Sequence, residues 1–146
     1  MSLGLLRHWK KALLLLALAA IGIQLVPVAR TNPAGRGEPD APPEVRSVLR
    51  RACYDCHSNE TRWPWYAYVA PVSWLVGSDV EEGRQELNFS EWAALSAKRQ
   101  EKRRKRIGRE VTAGDMPPWY YVTMHPAARL AAEDLKTLAS WTSVGE

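Results

Sequence analysis

The chain has 146 residues and a formal net charge of +4, with 20 Lys and Arg against 16 Asp and Glu. That length holds one sizeable core. A hydrophobic content of 46% and a charged content of 25% exclude wholesale disorder, a collagen-like repeat and a multi-span membrane protein. Two cysteines exclude a disulfide-dense scaffold, and seven Trp against one Phe ask for a purpose.

Three basic residues, Arg7, Lys10 and Lys11, precede residue 12 and no acidic residue does. The rest of the chain is therefore near neutral, and its high pI does not mark a nucleic-acid binder. Residues 12–29 carry no charge, and Gln24 is their one strongly polar member. As a helix they would span roughly 27 Å, close to the hydrocarbon core of a bilayer at about 30 Å. A cleaved signal peptide wants a small-x-small exit, but this run leaves through Val26-Pro27-Val28-Ala29. The expectation is a retained single span in the bacterial inner membrane. The basic end, residues 1–11, would stay in the cytoplasm and everything after Arg30 would face the periplasm. Residues 30–43, rich in Pro and Gly, read as a linker to a domain over 44–146.

Val45, Val48, Leu49 and Ala52 recur at helical spacing after Pro42-Pro43, which suits a helix start. That helix runs into Cys53-Tyr54-Asp55-Cys56-His57. C-x-x-C-H is the attachment signature of a c-type haem. Each thiol adds to one of two vinyl groups on a porphyrin edge, two intervening residues let one turn reach both, and the adjacent imidazole can bind the iron. A zinc site needs four ligands, and Cys53, Cys56 and His57 supply three. A thioredoxin-like pair expects a strand-to-helix junction that is not visible here. A structural disulfide stays open in an exported chain.

An electron carrier usually closes its sixth coordination position with Met or His. The candidates are Met116, Met124 and His125. A helix is expected to end at Gly114, and Pro117 and Pro118 then force Met116 into a stiff, extended arm. His125 is fixed by Pro126. If it bound the iron, a bis-His haem of lower potential would result.

Several linked motifs run along the chain: CYDCHSNETRWPWY at Cys53–Tyr66, then Ala70-Pro71-Val72-Ser73-Trp74, Gly83-Arg84, Leu87–Trp92, Met116-Pro117-Pro118, His125-Pro126 and Trp141. In this order the sequence resembles the bacterial haem-binding domain family of membrane-anchored monohaem c-type cytochromes, from about Glu44 to Trp141. The resemblance implies an all-α, cytochrome c-like domain with one covalently attached haem c. It implies Cys53 and Cys56 as the tethering thiols, His57 as the proximal ligand and Met116 as the distal one.

Trp63, Trp65, Tyr66, Tyr68 and Trp74 cluster after the motif, broken by Pro64 and Pro71. They are candidates for the haem pocket or for a plain aromatic core. Ser90 is expected to cap a helix from Glu91 to Ala113. Its middle carries eight basic residues from Lys98 to Arg109 against Glu101 alone. That stretch is polar on every side and should face water, an acidic redox partner or anionic lipid. A last helix is expected over 131–142, with Leu135, Leu138 and Trp141 on one side. The function this implies is one-electron transfer, not enzymatic turnover, and nucleic acid is excluded by compartment. The alternatives are a haem-based sensor with an open sixth site and a haem subunit of a larger respiratory assembly.

Overall fold

A computed structural model describes residues 3–143, and among them the regular structure is helical. The α-helices are α1 (Leu3–Gly22), α2 (Pro43–Ala52), α3 (Tyr54–His57), α4 (Val72–Glu86), α5 (Ala97–Ala113), α6 (Trp119–Met124) and α7 (Ala132–Thr142). The chain divides into two compact units: one holds the residues up to Arg30 with Trp63–Ser78, and the other holds Thr31–Arg62 with the chain from Asp79.

In the smaller unit, α1 with the turn after it is long and apolar enough to cross a membrane, and no residue of His8–Leu25 is buried. The helix differs from the expected 12–29 at both ends. It starts at Leu3, ahead of Arg7, Lys10 and Lys11, which are good helix formers. It closes through a 3-10 turn at Ile23–Leu25, because Pro27 drives Val26 into extended backbone. The Gln24 side-chain amide donates to Ala70 O at 3.2 Å and accepts from Ala70 N at 2.9 Å. Arg30 donates to Ala67 O at 3.0 Å and lies over the Tyr68 ring. Between Trp63 and Ser78 the chain makes a 3-10 turn (Trp65–Tyr68) and then enters α4.

The larger unit is built on α2, α5 and α7. Val45, Val48, Leu49 and Ala52, the expected apolar face of α2, are all buried. Val45, Val48 and Leu49 meet Leu138 and Trp141 of α7 and Ile107 and Val111 of α5 in one core. An aromatic ladder runs through it. Tyr54 stacks on Phe89 with centroids 5.0 Å apart, Phe89 on Trp92 at 6.0 Å, and Trp92 tilts against Trp141 at 6.0 Å. Offset aromatic pairs of this kind add to their area burial. Leu135, expected on the packed side of α7, is exposed instead.

The segment expected to be a linker is docked onto this unit. The amides of Arg36 and Gly37 donate to Ser90 O, Ala93 N donates to Gly37 O, and Ala41 joins the core. Gly35 permits the contact, since a Cβ there would lie 2.6 Å from Ser90 O. Backbone bonding, which composition does not report, holds this strap. Ser90 does not cap a helix either. Its hydroxyl accepts from Asn59 N, a 3-10 turn occupies Trp92–Ala94, and α5 starts only at Ala97.

Candidate haem site

α2 ends where Cys53 N donates to Leu49 O at 2.9 Å. The chain then makes the single turn α3, in which Cys56 N and His57 N both donate to Cys53 O. The loop that follows is locked by short-range bonds. Ser58 Oγ donates to Tyr54 O at 2.7 Å and Thr61 Oγ1 donates to Asp55 O at 2.8 Å. Phe89 N donates to His57 O at 2.7 Å. Arg84 gathers the same loop by donating to Ser58 O and Thr61 Oγ1.

Cys53, Cys56 and His57 face a cleft of about 260 Å³ in the larger unit. Its walls are mostly apolar: Ala52, Leu87, Phe89, Ile107, Val111 and Pro117–Pro118. The two thiols are not joined. Burial pushes both up to about 12, with the neighbouring Cys56 adding to the effect at Cys53 and the Asp79 and Asp55 carboxylates adding to it at Cys56.

His57 is the most informative side chain. Its Nδ1 lies 2.8 Å from Gly83 O and 3.1 Å from Leu87 O. Carbonyls only accept, so Nδ1 carries the proton and Nε2 keeps its lone pair. Burial lowers the imidazole pKa, which favours the same neutral form. A ring N–H held by backbone carbonyls is the arrangement that orients a metal-ligating histidine. The close approach of α4 to α3 depends on Gly83, where a Cβ would lie 2.6 Å from Cys56 O.

Met116 lines the same cleft as His57 and is partly exposed. Gly114, at φ +80°, closes α5, and the amides of Asp115 and Met116 turn back to Glu110 O. After Pro117–Pro118 the chain enters α6, whose tyrosines hold it down. Tyr121 OH donates to Asp55 Oδ2 at 2.8 Å, and Tyr120 is hydrogen-bonded to Asp79. Burial raises the Asp79 pKa, while Tyr120's hydrogen bond opposes the rise. Burial also raises Tyr121, with the Asp55 carboxylate adding to it.

Met124 and His125 do not reach the cleft. They line a separate depression with Arg50, Arg51 and Arg62, and the His125 ring stacks on Tyr121 at 4.4 Å. Trp63, Trp65, Tyr66 and Trp74 are not among the residues that line the cleft, and they belong to the smaller unit. The aromatic walls come instead from Phe89, Tyr120 and Tyr121. Two residues of the basic stretch, Arg103 and Arg106, line the cleft as well, and Arg106 is paired with Glu86 and Glu110. Arg104 lies over the Trp141 ring, and Gln100 donates to Trp92 O and Leu95 O. The middle of α5 is therefore not solvated all round. Lys98, Arg99, Lys102, Lys105 and Arg109 lie on its exposed face, beside Glu101, which pairs with Lys105.

Asp55, Asp79, Gly83, Tyr120 and Tyr121 are functional candidates that spacing alone did not single out. Asp55 had the one available signal, an acidic residue inside C-x-x-C-H. These residues fit a haem. They offer two thiols and an imidazole lone pair on one helical turn, a thioether on the same cleft, apolar walls, and two guanidiniums for an acidic edge. A family profile described as haem-binding domain matches residues 18–144. No curated protein and no solved structure matches the chain at a significant level.

Proposed function

The chain belongs to the haem-binding domain family, and from that premise we propose that it is a membrane-anchored monohaem c-type cytochrome. It carries single electrons on the periplasmic face of the inner membrane. The observation that carries this reading is the shared cleft. Cys53, Cys56, His57 and Met116 all line it, and the Nδ1 hydrogen bonds of His57 leave Nε2 as a lone-pair donor.

Bound haem supplies an iron that cycles between ferrous and ferric states. In this reading Cys53 and Cys56 tether the group through thioethers, so a small domain does not lose it. His57 would hold the iron through Nε2, with its proton on Nδ1 between the carbonyls of Gly83 and Leu87. Met116 offers a neutral sulfur, which favours the ferrous state relative to a second imidazole. The apolar walls exclude water and act in the same direction. Arg103 and Arg106 offer guanidiniums to carboxylates at the cleft edge. α1 anchors the domain, with the basic N-terminus inside by the positive-inside rule.

The test is spectroscopic, on detergent-extracted protein made in a host competent for cytochrome c maturation. The expected result is a haem that survives denaturing electrophoresis, a sharp reduced α-band and a far-red Met–iron band when oxidised. Met116→Ala should abolish the far-red band. It should also lower the potential by a fraction of the ~0.8 V range that axial ligation spans. An unchanged spectrum would remove Met116 from the iron, and absence of covalent haem would overturn the reading.

A further inference from the structure

We propose that the aromatic segment Trp63–Ser78 lies in the lipid–water interface of the membrane that α1 spans, so that the chain meets the bilayer through two elements. The proposal rests on reading α1 as a membrane span, and every observation behind it comes from the smaller unit.

The first observation is composition. Residues 63–78 read WPWYAYVAPVSWLVGS, with three Trp, two Tyr and no charged residue. The second is exposure. Trp65 is 75% exposed, Tyr68 57% and Leu75 54%, with Val69, Val72 and Trp74 exposed beside them. An uncharged, exposed cluster of large apolar side chains marks an interaction surface. Trp and Tyr are the residues enriched where a bilayer meets water.

The third observation fixes the occupant. Gln24 lies in the last turn of the apolar run, and its amide makes a two-point bond to the peptide of Ala70: Nε2 donates to Ala70 O at 3.2 Å and Oε1 accepts from Ala70 N at 2.9 Å. The Ala70 peptide is therefore held at the level of the end of the span. In lipid an unsatisfied peptide group is costly, and non-helical backbone persists only where its polar groups are bonded internally. Here they are. Ala67 N donates to Pro64 O, Val69 N to Tyr66 O, Ser73 N to Val69 O and Trp74 N to Pro71 O, while Pro64 and Pro71 have no N–H to satisfy. The single polar residue of an otherwise apolar run thus has a partner whose need for it is greatest in a low-dielectric layer.

The fourth observation sets the depth. Arg30 is the only charged residue in this unit after Lys11. Its guanidinium donates to Ala67 O at 3.0 Å and sits 4.5 Å from the Tyr68 ring centroid. An Arg–Tyr pair of this kind suits the headgroup layer, where each side chain keeps its apolar body in and its polar tip out.

The test is lipid photo-crosslinking of the full chain in vesicles of phosphatidylethanolamine and phosphatidylglycerol. Benzoylphenylalanine replaces Trp65, Tyr68 or Leu75 one at a time. Leu18 in α1 is the span control and exposed Glu133 the aqueous control. Circular dichroism of each labelled chain is matched to the unlabelled protein, and with three independent positions one unfolded variant does not decide the result. The expected outcome is lipid adducts at Trp65 and Leu75 within about twofold of Leu18 and about tenfold above Glu133. Lipid adducts at Leu18, with protein adducts or none at all three test positions, would overturn the proposal and leave the span standing. A second copy or another protein would then be the cover. No lipid adduct at Leu18 would overturn the span itself, and this proposal with it.

Discussion

Tyr121 ties the start of α6 to the second of the two residues between the cysteines, with its hydroxyl donating to the buried carboxylate of Asp55. Removing the donor leaves that carboxylate with Arg62, whose own side chain is largely exposed. Tyr121→Phe should therefore cost about 1–3 kcal/mol at neutral pH, read by chemical denaturation. The pH dependence has a definite sign. Burial and the Asp55 carboxylate raise the Tyr121 pKa above its unfolded value of about 10. The stabilisation is whole below that pH and drains away as the pH rises toward the folded value, because the unfolded phenol ionises first. The variant's stability should fall less steeply above pH 10 than that of the parent chain. Equal slopes would mean that Tyr121 does not hold its proton against ionisation in the fold.

At the scale of elements, two positions carry sharp expectations. Gly83→Ala puts a methyl group 2.6 Å from Cys56 O, a backbone atom that cannot swing aside. Overpacking of this kind typically costs about 1–3 kcal/mol. It should appear as a lower melting temperature together with reduced covalent haem in purified protein. Asp134 acts at the start of α7, where Oδ2 accepts from Ala131 N at 2.8 Å and Oδ1 accepts from Arg51 at 2.8 Å. Ala131 has no side-chain acceptor, so Asp134 supplies half of a capping box from the third position. Asp134→Ala should cost about 1 kcal/mol or more by thermal unfolding, as cap losses do. These elements were not equally legible. The apolar face of α2, the stop at Gly114 and the core role of Trp141 follow from periodicity and turn chemistry, which are local. α4 and α6 escaped because WLVGSDVEEG and WYYVTM lack a clean helical period, and their packing partners are distant in sequence. Leu135 matched the period and is still exposed, since a helix at a surface buries only part of its apolar stripe.

For the whole molecule, charge is the property to test. The exposed face of α5, with Lys98, Lys102, Lys105 and Arg109, would steer an acidic redox partner. Arg103 and Arg106 are turned to the cleft. Electron exchange with an acidic acceptor should slow about tenfold or more as ionic strength rises from low to physiological, because screening acts on encounter. Reversing Lys98, Lys102 and Lys105 to Glu should remove most of that dependence, as read by stopped-flow absorbance. A salt-independent rate would exclude steering by this face. At this scale the sequence carried the C-x-x-C-H motif and the apolar N-terminal run, because both are contiguous strings. It did not carry the placement of the tryptophans. Trp63, Trp65 and Trp74 follow the cysteines closely in the chain, yet they fall in the smaller unit with α1. Distance along the chain says little about which unit a residue joins when segments alternate between units. The Thr31–Pro43 strap was misread for a related reason: its composition is that of a tether, but its amides are bonded to Ser90 and its Ala41 is core.

The imidazole of His57 is oriented by Gly83 O and Leu87 O, both main-chain atoms. Every residue type presents a carbonyl, so no exchange of side chain at position 87 deletes that acceptor. Sequence drift can therefore alter the walls of the cleft while His57 keeps its tautomer and its aim. Only changes that move the end of α4 itself reach it, such as a proline that breaks the Leu87 N to Gly83 O bond. The orientation of this imidazole is thus insulated from most single substitutions, and the lining of the cleft is left open to them.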